Sequence, residues 1–207
     1  MKHKNKSPFK EEHSKSQKIE VKENMFKIKE IFSKILNKND DSNKNQYTLP
    51  LREDGKKQFP ILSPLKGEIL ELSKVSDQTF STGCMGQGIA IIPDEGKLFS
   101  PVKGKVVSIF PTKHAFCIQC DDGMELLIHI GIDTVMLNGK GFKSLVSNGD
   151  SIEVGTPLLE FNLNLIKNSG YETTTLIIIT NSSIYSEVIY NKEKNIDVSN
   201  LLLTIVE

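Results

Sequence analysis

Two histidines that lie close together in the sequence are the residues of this chain best suited to chemistry. The chain has four histidines; two lie in its polar first residues, and the other two, His114 and His129, fall in the stretch TKHAFCIQCDDGMELLIHIGID. Near neutral pH an imidazole can be a nucleophile, a general base or a metal ligand, because its reference pKa is about 6.5. The pair leaves three kinds of site open: two metal ligands, a general base with its partner, or a nucleophilic histidine with a stabilising neighbour.

The sequence between the histidines predicts a β-hairpin that brings them together. The residues DDGM at positions 121–124 carry the Asp-Gly signal of a two-residue turn. In the register set by this turn, His129 faces Phe116 and is a diagonal neighbour of His114, with about 7–8 Å or less between their backbones. A three-residue loop would place the two rings on opposite faces of the sheet, so the prediction depends on turn length.

The cysteines are not expected to form a second chemical centre. Cys117 and Cys120 have the C-x-x-C spacing of redox and zinc motifs, but they lie in a predicted strand, where residues three apart lie on opposite faces. The third cysteine, Cys84, is separate from them, so no second pair completes a zinc site. We therefore expect ordinary reduced cysteines.

Length and composition predict a cytoplasmic protein with one sizeable domain and an appendage, or with two small domains. The chain has 207 residues, of which 38% are hydrophobic and 25% are charged. No apolar run reaches the roughly 18 residues of a membrane span, and the N-terminus lacks the apolar region of a secretory signal.

The first 57 residues differ from the rest in charge and texture. Residues 1–57 carry 15 Lys and Arg against 9 Asp and Glu, although the net charge of the whole chain is zero. Much of this arm has the polar composition of a disordered segment. Residues 25–37, MFKIKEIFSKILN, have an apolar stripe at helical spacing opposite a lysine-bearing face, and a polar linker follows. A basic arm with an amphipathic helix predicts contact with phosphates or with an anionic membrane.

Residues 58–207 have the pattern of an all-β domain. Short β-like runs such as GQGIAIIP, KVVSIF and TTLIIIT alternate with Gly, Pro and Asp, which is typical of a sandwich or a barrel. Two short helical patches are predicted near residues 142–147 and 163–169. Gly86 and Gly88 are expected to serve a tight loop or a close approach between backbones.

The histidine motifs resemble those of a known family. TKHAF followed by ELLIHIGIDTVMLNGKGF closely resembles the glucose-type IIA component of the bacterial sugar phosphotransferase system, as do SPLKGEIL, FSTGCMGQGIAI and VGTPLLEF. The resemblance covers about residues 58–207 and implies a compact antiparallel β-sandwich. It also implies a phosphoryl relay, in which the carrier HPr phosphorylates a histidine of this domain. The domain then passes the group to a cysteine on the IIB domain of a sugar permease.

The same resemblance assigns a role to each residue of the motif. His129 matches the family's phosphorylated histidine, and His114 matches the second histidine, which stabilises the phosphoryl oxygens. Thr112 matches the residue whose hydroxyl orients the ring of His114. The backbone carbonyl of Gly131 is the expected partner that fixes the tautomer of His129.

A relay between proteins needs an exposed docking patch around the histidines. In the predicted register, Phe116 and Leu127 flank the histidines and Asp133 shares their face. Matching family positions add three further candidates: Phe80, Met85 and Phe110.

The fold is expected to need no metal or other cofactor. The resemblance implies that His114 and His129 can share a zinc ion with a carboxylate of a partner protein. It also implies that the phosphorylation state can control transporters and kinases, in addition to the relay partners HPr and IIB. We expect the inner face of the membrane to be a further partner, through residues 25–37, and we expect no nucleic acid.

Two alternatives from other classes stay open. One is a zinc-dependent peptidase-like β protein, because His129 and Asp133 form an H-x3-D pair. That site also needs an H-x-H strand, which this chain lacks. The other is a purely regulatory binding protein, a role that is compatible with the relay.

Overall fold

The computed structural model describes residues 54–207. The predicted helix at 25–37 and most of the arm lie outside the described residues. The strands are β1 Gln58–Leu62, β2 Gly67–Glu71, β3 Gln87–Pro93, β4 Lys97–Phe99, β5 Gly104–Ile109, β6 Ala115–Cys120, β7 Glu125–Ile130, β8 Phe142–Ser144, β9 Ser151–Ile152, β10 Pro157–Phe161, β11 Thr175–Ile179, β12 Glu187–Tyr190, β13 Asn195–Ile196 and β14 Leu201–Val206. Two α-helices, α1 Gln78–Ser81 and α2 Leu163–Asn168, and 3-10 helices at Leu72–Lys74, Thr134–Leu137 and Ser182–Ile184 complete the described elements.

Antiparallel pairing organises these strands into three sheets. The large sheet has eight strands in the order β13-β2-β3-β11-β7-β6-β5-β9. The two smaller sheets have the orders β1-β14-β12 and β4-β10-β8. All the strand pairs that build them are antiparallel. The prediction of an all-β antiparallel sandwich is confirmed.

One face of the large sheet packs against the smaller sheets and forms the main core. Along β7, Leu126, Ile128 and Ile130 lie in this core, together with Phe161 of β10 and Ile205 of β14. Alternate residues of a strand lie on opposite faces, so His129 lies on the other face, which we call the site face. By strand pairing the site face also carries Ala115, Cys117, Leu127, Leu176 and Ile178.

One of the two predicted helical patches is a strand. Residues near 142–147 contribute β8, in which Phe142 pairs with Phe161 of β10. The two rings stack in the core with centroids 6.4 Å apart, and this tertiary packing decides the conformation of the segment. The other patch is confirmed as α2, where the side chain of Asn162 accepts a hydrogen bond from the backbone N of Leu165 at 2.9 Å.

Two glycines let β3 approach β11, as the sequence predicted. A Cβ atom on Gly88 would lie 2.1 Å from the carbonyl oxygen of Ile177, and one on Gly86 would lie 2.1 Å from that of Ile179. Gly86 also has φ of +126°, a conformation that residues with a Cβ rarely adopt. The pairing between β3 and β11, next to the strand of His129, therefore requires glycine at these positions.

Candidate functional site

The loop between β6 and β7 has three residues rather than the two predicted. Ala115 pairs with His129, and continuing this register leaves residues 121–123 as the loop. The last loop residue is a glycine with φ of +90°, which suits a three-residue hairpin. The predicted register was therefore wrong by one residue. Phe116 faces Ile128, not His129.

His114 and His129 nevertheless meet. Their ring centroids are 4.9 Å apart and the ring planes cross at 85°. In a regular extension of β6, His114 would lie on the core face with Phe116, because it is one residue before Ala115. It lies instead in the loop that precedes β6. The two rings converge because His114 is outside the pleat of the strand.

His114 is buried and held by one side chain. Its Nδ1 lies 2.6 Å from Oγ1 of Thr112, and its ring meets that of Phe110 edge-on at 5.5 Å. The side chain is only 5% exposed. Burial and, to a smaller extent, the proximity of His129 lower the pKa of His114 to about 3. His114 is therefore neutral at physiological pH, with Nε2 free of the threonine.

His129 is half-buried, and its two ring nitrogens differ. Nδ1 is buried and has no hydrogen-bond partner among the described residues. The backbone of Gly131 interacts favourably with the protonated ring but does not form a well-aligned hydrogen bond with it. Burial outweighs this effect and lowers the pKa of His129 to about 4, so the ring is neutral at physiological pH. Phe80 packs beside it, with ring centroids 5.0 Å apart.

The expected docking residues differ in exposure. Phe116 is completely buried in the main core, so its assignment to an exposed patch is wrong. Phe80, Met85 and Leu127 are also buried, at 7%, 8% and 1% exposure, and so belong to the support of the site rather than to its surface. Phe110 is half-buried and retains some exposed surface.

Exposed surface near the site comes partly from residues that the sequence did not single out. Val135 and Met136 are 41% and 66% exposed and lie two and three residues after Asp133. Asp133 is itself exposed and begins the 3-10 helix at Thr134–Leu137 in a left-handed conformation, with φ of +58°. The apolar pair in IDTVM was the available signal in the sequence.

Three carboxylates lie near one another beside this helix. Partial burial raises the pKa of Asp133, and the negative charges of Asp77 and Glu172 raise it further. Glu172 accepts a hydrogen bond from the Ser76 hydroxyl at 2.8 Å. The sequence indicated only Asp133, because Asp77 and Glu172 reach this position through the fold and not through any local motif.

The three cysteines differ in burial: Cys84 is exposed, whereas Cys117 and Cys120 are buried. Cys84, Cys117 and Cys120 are free thiols. Cys117 lies on the site face and Cys120 in the main core. Burial raises the pKa of Cys117 to about 12 and that of Cys120 well above its ordinary value, so neither forms a thiolate readily. Across residues 54–207, no three His, Cys, Asp or Glu side chains are grouped to hold a metal.

No helix in the described part of the chain is long and apolar enough to cross a membrane.

The fold and the site together define an antiparallel β-sandwich with two neutral, adjacent histidines near its surface. A neutral imidazole beside a second imidazole can accept a charged group and stabilise it. A protein with such a site belongs to the class of carriers that hold a chemical group on a histidine.

The family follows from comparison with known proteins. The family model for the phosphoenolpyruvate-dependent sugar phosphotransferase system, EIIA 1, matches residues 59–185. The chain belongs to this family. Its members are phosphotransferase components that carry a phosphoryl group on histidine in sugar transport.

Individual relatives agree with this assignment. The β-glucoside-specific EIIBCA component of Bacillus subtilis (strain 168) is 48% identical over 137 residues, which are 66% of this chain and 22% of that protein. The glucose-specific EIIA component of Staphylococcus aureus (strain Mu50) is 45% identical over 151 residues, covering 69% of this chain and 91% of that protein. The chain therefore spans about a fifth of the β-glucoside relative and most of the glucose-specific one.

A solved structure shares the fold. The glucose permease IIA from Mycoplasma capricolum is 34% identical in sequence and superposes with a TM-score of 0.66. The match covers 72% of this chain and 96% of that structure. The alternative of a zinc peptidase is not favoured by any of these similarities.

Proposed function

We propose that His129 is the phosphoryl acceptor and that His114 is the stabilising histidine. The observation that carries the proposal is the difference between the two rings. His114 is buried and has Nδ1 against Thr112 at 2.6 Å, whereas His129 retains exposed surface while its Nδ1 is buried. The nitrogen of His129 that a protein donor can reach is therefore Nε2.

The transfer step needs only the two imidazoles and the donor. The lone pair of Nε2 of His129 attacks the phosphorus of a phosphohistidine on the donor. A new P–N bond forms as the donor's P–N bond breaks, and the bonding pair stays on the donor's ring nitrogen. His114, with Thr112 donating its hydroxyl hydrogen to Nδ1, keeps its own proton on Nε2 and donates it in a hydrogen bond to a phosphoryl oxygen. Nδ1 of His129 keeps its proton, and the nearby backbone of Gly131 favours the protonated ring electrostatically.

The partners proposed for the two half-reactions are HPr, as donor, and the IIB domain of a sugar permease, as acceptor. Both must reach the same histidine in turn, so a shallow surface suits the site better than a closed cleft. Phe110, Val135 and Met136 supply apolar contact area there, and Asp133 supplies a polar rim. Glucose and β-glucosides are the sugars named for the relatives, and we propose a sugar of this class for the permease.

Phosphotransfer from phosphoenolpyruvate through purified Enzyme I and HPr tests the assignment. We expect His129→Ala to take no label from phospho-HPr. His114→Ala should take label but pass it to IIB slowly, because the stabilising donor is gone. His129→Ala that is labelled like the wild type would refute the assignment. His3→Ala serves as a control, since His3 lies in the polar arm.

A zinc ion shared with a partner is a second use that the same residues support. His114 and His129 are two imidazoles with ring centroids 4.9 Å apart, and the described residues offer no third ligand beside them. The donor set therefore fits half of a zinc site, which a carboxylate from a regulated transporter or kinase would complete. Binding of such a partner should require zinc, and the His114→Ala variant should bind the partner only weakly even when zinc is present.

The arm is proposed to hold the protein at the cytoplasmic face of the membrane. Residues 25–37 carry an apolar stripe opposite lysines, in a segment too short to span a bilayer. Basic residues near an anionic surface contribute about 1 kcal/mol each. Surface binding would raise the local concentration of the phosphoryl donor beside a membrane permease.

A peptide of residues 24–38 tests the membrane proposal by circular dichroism. Helix content should rise with anionic vesicles and fall again at high salt. An equal rise with neutral vesicles, or no rise, would contradict an electrostatic membrane contact. The matched control is the same peptide with Ile31→Asp, which interrupts the apolar stripe and leaves the lysines in place.

A further inference from the structure

The loop that places His114 contains a residue in an unusual backbone conformation. Lys113 has φ of +57°, in the left-handed region, although it is not a glycine. Its side chain is exposed and is not a member of the main core. The left-handed conformation is therefore a property of the loop and does not arise from burial of the lysine side chain.

Two backbone hydrogen bonds close the loop. The backbone N of Lys113 donates to the carbonyl of Phe110 at 2.7 Å, which closes a turn whose second residue is Pro111. Proline fixes φ near −65°, as such a turn requires. The backbone N of Phe110 donates to the carbonyl of Ala115 at 3.0 Å, which begins the pairing of the two strands. Lys113 is the residue at which the chain leaves the turn and returns towards β6.

The position of His114 depends on the path of the chain from Lys113 into β6. Strand pairing places Ala115, not His114, on the face of His129. The carbonyl of His114 still accepts a hydrogen bond from the backbone N of Ile130 at 2.7 Å, so its backbone is held against β7.

We propose that Lys113 is a positioning residue, whose left-handed backbone directs the ring of His114 onto both Thr112 and His129. The inference rests on the proposed roles of the two histidines. In this proposal, position 113 acts through its φ angle, and the charge of the lysine has no role. Gly131 also has a positive φ, of +73°, so one left-handed residue directly precedes His114 and another lies two residues after His129.

Neutral substitutions that differ in backbone preference test the proposal. Lys113→Gly and Lys113→Asn both tolerate the left-handed conformation, and Lys113→Val does not. All three remove the positive charge equally. We expect the Gly and Asn variants to transfer the phosphoryl group to IIB at rates within about twofold of each other. We expect the Val variant to be slower by about tenfold or more, because the stabilising ring is misplaced.

A measurement independent of activity accompanies the kinetics. The nuclear Overhauser effect between ring protons of His114 and His129 should persist in the Gly and Asn variants and disappear in the Val variant. If Lys113→Val fails to fold, Lys113→Thr, which is β-branched but polar, should show a reduced rate and a weakened ring contact. Val or Thr variants with the rate and ring contact of the Gly variant would overturn the proposal. So would a Gly variant as slow as the Val variant, since that would assign the effect to the lost charge.

The outcome for the Lys113 variants can be distinguished from the outcome of the phosphotransfer test of the proposed function. If His129→Ala is still labelled, the phosphoryl assignment fails, but the ring contact in the Lys113 variants still reports whether position 113 directs His114.

Discussion

Oγ1 of Thr112 lies 2.6 Å from Nδ1 of His114, two residues later in the same loop. This contact decides which nitrogen of His114 faces away from the protein. If the threonine hydroxyl donates to Nδ1, the neutral ring carries its proton on Nε2 and can donate it to an anion. The small contact therefore controls the tautomer of the stabilising histidine.

Replacing Thr112 with Val should slow onward phosphoryl transfer without preventing labelling. Loss of one neutral hydrogen bond, of roughly 0.5–1.5 kcal/mol, corresponds to a slowing of up to about tenfold. Thr112→Ser keeps the hydroxyl and should transfer at nearly the wild-type rate. The measurement is single-turnover transfer from the phosphorylated protein to IIB. Equal rates for the Val and Ser variants would show that the hydroxyl does not set the tautomer.

Acid should destabilise the fold through the two histidines. Their pKa values in the folded protein, about 3 for His114 and about 4 for His129, are below the unfolded value of about 6.5. The unfolded chain therefore binds more protons as the pH falls below about 6.5. The stability contributed by the neutral rings is complete above that pH and is lost at up to about 1.4 kcal/mol per pH unit for each histidine.

Urea unfolding at pH 7 and pH 5 measures this effect. A variant with both histidines replaced by Gln should lose less stability between these values than the wild type. Asp122, Glu125 and Asp133 have raised pKa values and act in the opposite direction as the pH falls, but they are present in both proteins and cancel. Parallel losses in the two proteins would show that the histidines are not the source.

Substitution of Gly88 by Ala should be strongly destabilising. The added Cβ would lie 2.1 Å from the carbonyl oxygen of Ile177, so β3 and β11 must move apart. Overpacking of this kind costs roughly 1–3 kcal/mol. Gly83→Ala is the control, because it meets no atom within 4 Å and carries only the cost of a positive φ, +70°. Thermal melting compares them, and similar midpoints would contradict the close approach.

Metal removal should leave the fold intact. Residues 54–207 present no group of three candidate ligands, so no structural ion is expected to hold the sheets together. Dialysis against a chelator should leave the thermal midpoint unchanged. A fall of many degrees, reversed by adding zinc, would reveal a structural ion.

Sequence patterns predicted the architecture better than the register. The short apolar runs and glycine punctuation indicated the antiparallel sandwich, because they reflect burial on alternate faces. DDGM is compatible with a two-residue or a three-residue loop, and the side of the sheet on which Phe116 lies changes with that single residue. The predicted meeting of the histidines is present for another reason, the irregular loop at Lys113, which periodicity cannot indicate.

The carboxylates beside the site show a second limit. Asp77 and Glu172 are distant from the histidines in sequence and approach Asp133 only through the tertiary fold. The strand conformation at Phe142, where a helical patch was predicted, likewise depends on pairing with Phe161, which no local pattern indicates. Motifs identified residues that act locally, whereas the rim of the site is assembled from segments that share no motif.

The pairing of β1 with β14 has a mechanical consequence for how this domain can be connected. Gln58 is opposite Val206, and Lys57 and Glu207 form an ion pair at 3.3 Å. Both ends of the described chain therefore leave from adjacent strands of a small sheet, across the main core from the face that carries His129. A tether on either end would pull on the same edge and leave the histidines facing away from the anchor. This geometry allows a connection at either end without covering the histidines.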